Sequence, residues 1–133
     1  MRAVLDVNAL ISVLLSSRGA PAQLLRRWLG GEFELVVSEA LLTELERALA
    51  YPKVRSRISK PDAAMYVLAL RQSARMIQDV ADPTRRSPDP GDDYLLELAQ
   101  EARAVLVSGD RHLLDLRDRL PVRSAREFLD LLP

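Results

Sequence analysis

Three short aliphatic runs constrain this chain more than anything else in it. They are Ala3-Val-Leu5, Leu35-Val-Val37 and Val105-Leu-Val107, and each is followed within three residues by a polar or acidic side chain: Asp6, Ser38, and Ser108 with Asp110. Runs this short and this uniformly apolar read as strands buried on both faces, the signature of a parallel sheet. The segments between them are too long for hairpins and carry helical spacing and punctuation, so strands alternate with helices and the sheet is expected to be covered on both sides.

In more detail, Arg2 to Val7 reads as the first strand and Ala9 to Ser16 as a helix, with a breaker cluster at Ser16-Ser-Arg-Gly19. Pro21 opens a second helix whose apolar face is Leu24, Leu25, Trp28 and Leu29, and Gly30-Gly31 ends it. A strand over Phe33 to Val37 runs into Ser38, an N-cap for a helix through Ala50 that Tyr51-Pro52 stops. Pro61 to Arg75 is expected to be helical with Ala64, Val67, Leu68 and Arg71 along one side, followed by a third strand between Arg75 and Val80. An irregular segment, Ala81 to Gly91, holds Pro83, Pro88 and Pro90. A helix over Asp92 to Arg103, a strand over Ala104 to Ser108, a helical turn with Leu113, Leu114 and Leu116, and an edge strand at Pro121 to Arg123 follow. Ser124 and Glu127 form a capping box that starts the last helix. The length suits a single domain spanning residues 1–133.

Composition removes several kinds of chemistry. No Cys is present, which excludes disulfide scaffolds, thiolate zinc sites and cysteine nucleophiles and is compatible with the cytoplasm. Asp6 and Asn8 interrupt the apolar N-terminal stretch, against a secretory leader, and no stretch is long enough for a membrane span. Nineteen basic residues balance nineteen acidic ones, so the chain is not a constitutively basic nucleic-acid wrapper. Seventeen of the basic residues are Arg, the side chain best shaped for phosphate. Arg26, Arg27, Arg55, Arg57, Lys60, Arg85 and Arg86 are candidates for substrate grip, with ordinary solvation the simpler role for each.

Four acids stand at element ends on the same side of the expected sheet or beside it: Asp6, Glu44, Asp92 and Asp110. Individually, Asp6 and Asp110 serve as helix caps and Glu44 as a helix residue at the edge of the Leu41, Leu42, Leu45, Leu49 stripe. Glu39 and Glu46 are more simply solvent residues. Leu95, Leu96 and Ala99 follow Asp92 at i+3, i+4 and i+7, so Asp92 is expected to lead the buried face and Asp93 to lie with the polar Glu97 and Gln100. Asn8 can orient Asp6, and Ser108 can donate a hydroxyl to a neighbouring carboxylate. Asp89 reads as a turn residue beside Pro90, and His112 as a surface residue with no imidazole partner. Carboxylates that converge need a cation, and without sulfur or imidazole donors that cation is Mg²⁺ or Mn²⁺, whose usual substrate is a phosphate.

The blocks Ala3-Val-Leu-Asp6-Val-Asn8-Ala-Leu-Ile-Ser12, Leu35-Val-Val-Ser38-Glu-Ala-Leu-Leu-Thr-Glu44-Leu, Asp89-Pro-Gly-Asp92-Asp-Tyr-Leu-Leu and Leu106-Val-Ser108-Gly-Asp110-Arg-His-Leu-Leu resemble, in order and spacing, a PIN domain. The resemblance is strongest to the VapC-like ribonucleases, the toxin components of prokaryotic toxin–antitoxin pairs. It implies a three-layer α/β sandwich with a central, mainly parallel sheet, and one or two Mg²⁺ or Mn²⁺ ions bound by Asp6, Glu44, Asp92 and Asp110. Asn8, Ser38 and Ser108 match the family's supporting polar positions. It further implies an RNA substrate, a small cognate antitoxin and a homodimer. Many relatives carry Asp where this chain has His112 and Thr where it has Ser108; the first removes an auxiliary acid, the second keeps a hydroxyl. Two other readings stay open: a non-catalytic PIN-like module that binds RNA or protein, and an aspartate phosphatase with Asp6 as nucleophile, weakened because Asn8 stands where a second acid is usual.

Overall fold

Each aliphatic run becomes a strand. The computed structural model describes residues 1–79 and 92–133, so Val80, the expected irregular segment Ala81 to Gly91 and the candidates Arg85, Arg86 and Asp89 lie outside the described residues. Within them β1 (Arg2–Leu5), β2 (Glu34–Val37), β3 (Arg75–Met76), β4 (Val105–Val107) and β5 (Val122–Arg123) form one sheet in the order β3-β2-β1-β4-β5. Every pairing is parallel, with Val4 opposite Val36 on one side and Leu106 on the other. Ala3, Val4, Val36, Val37, Leu106 and Val107 are fully buried, as a strand sandwiched between two helical layers requires.

The helices are α1 (Val7–Leu15), α2 (Gly19–Leu29), α3 (Glu39–Leu49), α4 (Pro52–Arg55), α5 (Lys60–Ser73), α6 (Asp93–Glu101), α7 (Arg111–Leu114) and α8 (Ala125–Leu131). From β1 to β3 the chain steps outward along one half of the sheet. It then returns to β4 beside β1 and steps outward along the other half. Right-handed crossovers therefore put the helices of the two halves on opposite faces. In keeping with this, α1 packs on α2 and α3, and α3 on α5, while α6 packs on β1 and β4. None of the described helices is long and apolar enough to cross a membrane.

Helix ends follow local chemistry. Asp6 accepts a hydrogen bond from the Ala9 N–H at 2.8 Å, so α1 starts two residues earlier than the apolar spacing suggests. Gly31 takes a positive φ of 76° after α2, and Gly31 N–H and Glu32 N–H bond back to the Trp28 and Arg27 carbonyls. This closes the helix in the way a left-handed glycine allows. Arg103, φ 54°, does the same job after α6 without glycine's freedom, its N–H and that of Ala104 bonding to Gln100 and Ala99. Ser124 and Glu127 make both bonds of the expected capping box.

Two expectations are corrected. Tyr51-Pro52 ends α3 but also opens α4, because proline suits a first helical turn. The buried side of α5 is Ala63, Val67 and Leu70; Ala64 and Leu68 are exposed. Leucine and alanine fill both sides of α5, so composition alone left its register open.

The topology sets where a ligand can approach. The connection from β1 runs toward β2 and that from β4 runs the opposite way, toward β5, so the two diverge and a crevice opens beyond the carboxyl ends of β1 and β4. Asp6 is the first residue beyond β1, and Ser108 the first beyond β4.

Candidate active site

At that crevice the backbone N–H of Asp6 bonds to the Val107 carbonyl at 3.1 Å, which extends the β1–β4 ladder by one residue and fixes Asp6 against β4. Its carboxylate, 8% exposed, accepts from the Ser108 hydroxyl and from the Ala9 N–H. Ser108, itself buried, accepts at the same oxygen from the Asp110 N–H at 3.0 Å. One hydroxyl thus ties two acids together. Burial pushes the Asp6 carboxyl above the usual carboxylate range; the bonds from Ser108 and Ala9 pull it back in part, and the charge of Asp110 pushes it up again. Asp110 caps α7 through the His112 N–H at 2.8 Å and remains 40% exposed. The His112 ring is exposed, 3.6 Å from that carboxylate, as a surface histidine was expected to be.

A second acidic group belongs to α3, α6 and the chain after β3. Ser38, fully buried, caps α3 by accepting from Leu41 N–H at 3.3 Å and so fixes the helix that carries Glu44. Glu44 is half-buried, whereas Glu39 and Glu46 are exposed. The Tyr94 hydroxyl donates to Glu44 Oε2 at 2.9 Å. Burial chiefly, then the Glu44 bond and the charges of Glu44, Asp79 and Asp92, hold the Tyr94 phenol well above its ordinary pKa. Those three acids therefore surround one phenol. Val7 and Asn8, directly after Asp6, share a cleft with Glu44, Arg47, Ala48 and Tyr51, so Glu44 lies near the chain segment that follows Asp6.

Three sequence expectations change in detail. Asp93 is the buried acid of its pair, 3% exposed in the first turn of α6, while Asp92 is the half-buried N-cap. The buried face of α6 includes Leu95, Leu96, Leu98 and Ala99, broad enough to admit Asp93 one turn before Leu96 and Glu97. Asn8 is exposed and makes no hydrogen bond to Asp6, whose orientation comes from Ser108 and the Ala9 amide instead. Asp79 was not singled out at all. Its Oδ2 accepts from the Ala40 N–H at 2.9 Å, pinning the chain after β3 to the start of α3, and its Oδ1 is buried with no hydrogen-bond partner among the described residues. Its sequence signal is weak: it lies inside the stretch Arg75 to Val80 expected as a strand, and only the early end of β3 at Met76 leaves it beyond the sheet. Tyr94 had none.

The donor set is made of hard carboxylate oxygens, and the orphaned Asp79 oxygen and the raised Asp6 carboxyl both mark negative charge that the described residues do not offset. These features fit Mg²⁺ or Mn²⁺ in kind. In arrangement, no three His, Asp or Glu side chains among the described residues are grouped to hold a single ion. The acids fall into two sets, Asp6 with Asp110 through Ser108, and Glu44, Asp79 and Asp92 about Tyr94.

Comparison with known proteins bears on the family and the fold. The PIN domain family matches residues 2–112. The uncharacterized protein MJ1680 of Methanocaldococcus jannaschii is 24% identical over 140 residues, covering 98% of this chain and 90% of the relative. Among solved structures, VapBC2 of Rickettsia felis, bound to a DNA fragment from its promoter, superposes with a TM-score of 0.65 at 13% identity, over 93% of this chain and 98% of that one. PAE2754 of Pyrobaculum aerophilum gives 0.64 at 16% identity, over 98% and 97%. At these identities the structural likeness establishes the fold. The family match, the five-stranded parallel sheet and the acids at its carboxyl edge together establish that this chain belongs to the PIN domain family.

Proposed function

We propose that the chain is a single-domain, metal-dependent endoribonuclease that hydrolyses RNA phosphodiesters, and that it acts in the cytoplasm as the toxin of a toxin–antitoxin pair. The observation that carries this reading is the buried Asp6 sharing the Ser108 hydroxyl with Asp110 at the crevice between β1 and β4. The charge of Asp110 adds to the burial that raises the Asp6 carboxyl, and a cation at this edge would offset both. The toxin assignment, the small antitoxin partner and a homodimer are drawn from the likeness to a VapBC structure.

Asp6, Glu44, Asp92 and Asp110 would hold one or two Mg²⁺ or Mn²⁺ ions, with Asp79 beside them. Such an ion supplies charge neutralisation on the phosphate and a lowered pKa for water, so no protein nucleophile is needed. The chain's own residues supply placement. The Asp6 carboxylate is fixed by Ser108 through one oxygen and by the Ala9 N–H through the other, while Tyr94 occupies Glu44 Oε2 and leaves Oε1 available. Ser38 holds α3 in register with the end of β2. Rigid placement of this kind keeps a site's geometry fixed while charge develops in the substrate.

Purified protein incubated with structured and single-stranded RNAs in Mg²⁺, Mn²⁺ or EDTA, beside Asp6→Asn, tests this. Cleavage is expected only with metal and only in the wild type; cleavage that survives both EDTA and the substitution would reject it. A non-catalytic module remains the alternative, favoured by the absence of a three-acid group among the described residues. It predicts RNA binding without cleavage under every metal condition.

A further inference from the structure

A row of side chains leads away from Glu44 along α3. Glu44, Arg47 and Ala48 stand at i, i+3 and i+4, the spacing that places residues above one another on a helix face, and Tyr51 follows two residues after the end of α3 at Leu49. With Val7 and Asn8 they line one open cleft. Ala48 is buried and small, so it forms floor rather than wall. Arg47 and Tyr51 are exposed, Tyr51 by 59%.

Neither side chain has a bonded partner that explains it, although Arg47, in the last turn of α3, also suits that helix's dipole. Arg2, Arg27, Arg71 and Arg117 each pair with a glutamate, but Arg47 makes no ion pair or side-chain hydrogen bond among the described residues, even one turn from Glu44. Tyr51 caps α4 with its backbone alone, through bonds from the Val54 and Arg55 N–H groups to its carbonyl; its ring takes no part. A guanidinium with no partner among the described residues and an exposed aromatic ring therefore sit in the cleft that opens on the acidic edge. Along α3, Arg47 stands about 4.5 Å from Glu44, at roughly 1.5 Å rise per residue.

Resting on the reading of the acidic edge as a ribonuclease centre, we infer that this cleft is a subsite for single-stranded RNA. In it Arg47 takes a phosphate flanking the scissile one and Tyr51 stacks on the attached base. Guanidinium is shaped for phosphate oxygens, and an aromatic face binds any base that is not already stacked in a duplex. The same geometry makes the subsite tolerant of sequence and closes its stacking position, though not its phosphate contact, to double strands.

The test is fluorescence anisotropy of a short labelled single-stranded RNA of mixed sequence. It is titrated in EDTA, so that nothing is cleaved, with wild type, Arg47→Gln, Tyr51→Ala and Tyr51→Phe at several salt concentrations. Thermal melts confirm that each variant is folded. Tyr51→Ala should raise Kd by about tenfold and Tyr51→Phe hardly at all, as stacking rather than the hydroxyl requires. Arg47→Gln should raise Kd for all sequences and reduce the slope of log affinity on log salt by about one. A blunt RNA duplex should register Arg47→Gln but not Tyr51→Ala. Wild-type affinity in Arg47→Gln and Tyr51→Ala overturns the subsite. If such variants accompany a wild type that cleaves RNA in Mn²⁺, the nuclease reading survives it. If they are weakened in a protein that cleaves under no metal condition, the subsite survives and the nuclease reading falls.

Discussion

Removing the Ser108 hydroxyl strikes the contact on which the two central acids depend. In Ser108→Ala the buried Oδ2 of Asp6 loses its donor and the Asp110 N–H loses its acceptor. Asp110 is partly exposed, so water can serve its N–H; Asp6 is not so placed. Stranding a buried polar group costs about 1–3 kcal/mol, toward the upper end when the group is charged. For a chain of this size, a loss of about 2 kcal/mol lowers Tm by roughly 5–10 °C. The assay is urea and thermal unfolding in EDTA at neutral pH, run as a cycle with Asp6→Asn and the double variant. The amide that Asp6→Asn introduces can still accept from Ala9, and it carries no charge to strand, so the double variant should recover about 1 kcal/mol of the Ser108→Ala loss. The loss should also shrink on acidification, as Asp6 takes up its proton. A Ser108→Ala protein within about 0.5 kcal/mol of wild type, or strictly additive losses in the double variant, would refute the coupling.

Four further outcomes follow from the same structure. Because burial raises the Asp6 carboxyl in the fold, its ionised form destabilises the metal-free protein. That penalty is absent below the ordinary value of 3.8, grows as pH rises through the window above it, and is complete once pH exceeds the raised folded value. Asp6→Asn should therefore melt higher than wild type at neutral pH in EDTA, with the advantage fading toward acid; a constant advantage across that range in calorimetry contradicts it. Tyr94→Phe frees Glu44 Oε2 and should weaken Mn²⁺ binding by about 10-fold in a calorimetric titration, the scale seen when a partner of a metal ligand is lost; unchanged affinity would remove Tyr94 from the site. Arg103→Gly should stabilise the fold by about 0.5–1 kcal/mol, since glycine adopts the positive φ without steric cost, and no rise in Tm would count against strain there. Glu44→Gln should abolish RNA cleavage while Glu46→Gln, on the exposed side of the same helix, leaves it intact; equal effects would deny Glu44 a special role.

The strand ends were legible because aliphatic runs flanked by Asp6, Ser38 and Ser108 can be buried in only one way, and the parallel order of the sheet follows from the helices between them. Caps were legible too, since Asp6, Ser38 and Ser124 each have the short polar side chain that the first helical turn needs. Register was harder. In α6 the apolar residues cover so much of the circumference that they are compatible with either Asp92 or Asp93 facing inward, and only packing against β1 and β4 selects Asp93. In α5, Leu68 and Leu70 are equally apolar, and contact with α3 decides between them. Partners distant in sequence were out of reach: nothing local indicates that Tyr94 meets Glu44 fifty residues away, or that Asp79 meets Ala40.

The central claim is that acids from four separate segments serve one divalent-cation pocket at the β1–β4 crevice. Diffraction from crystals soaked in Mn²⁺, recorded at the manganese absorption edge, examines it directly. An anomalous peak bounded by Asp6 and Asp110, with Glu44 or Asp92 completing its oxygen ligands, is the result the account predicts. Manganese bound elsewhere on the protein, with the crevice empty at saturating concentration, would contradict it.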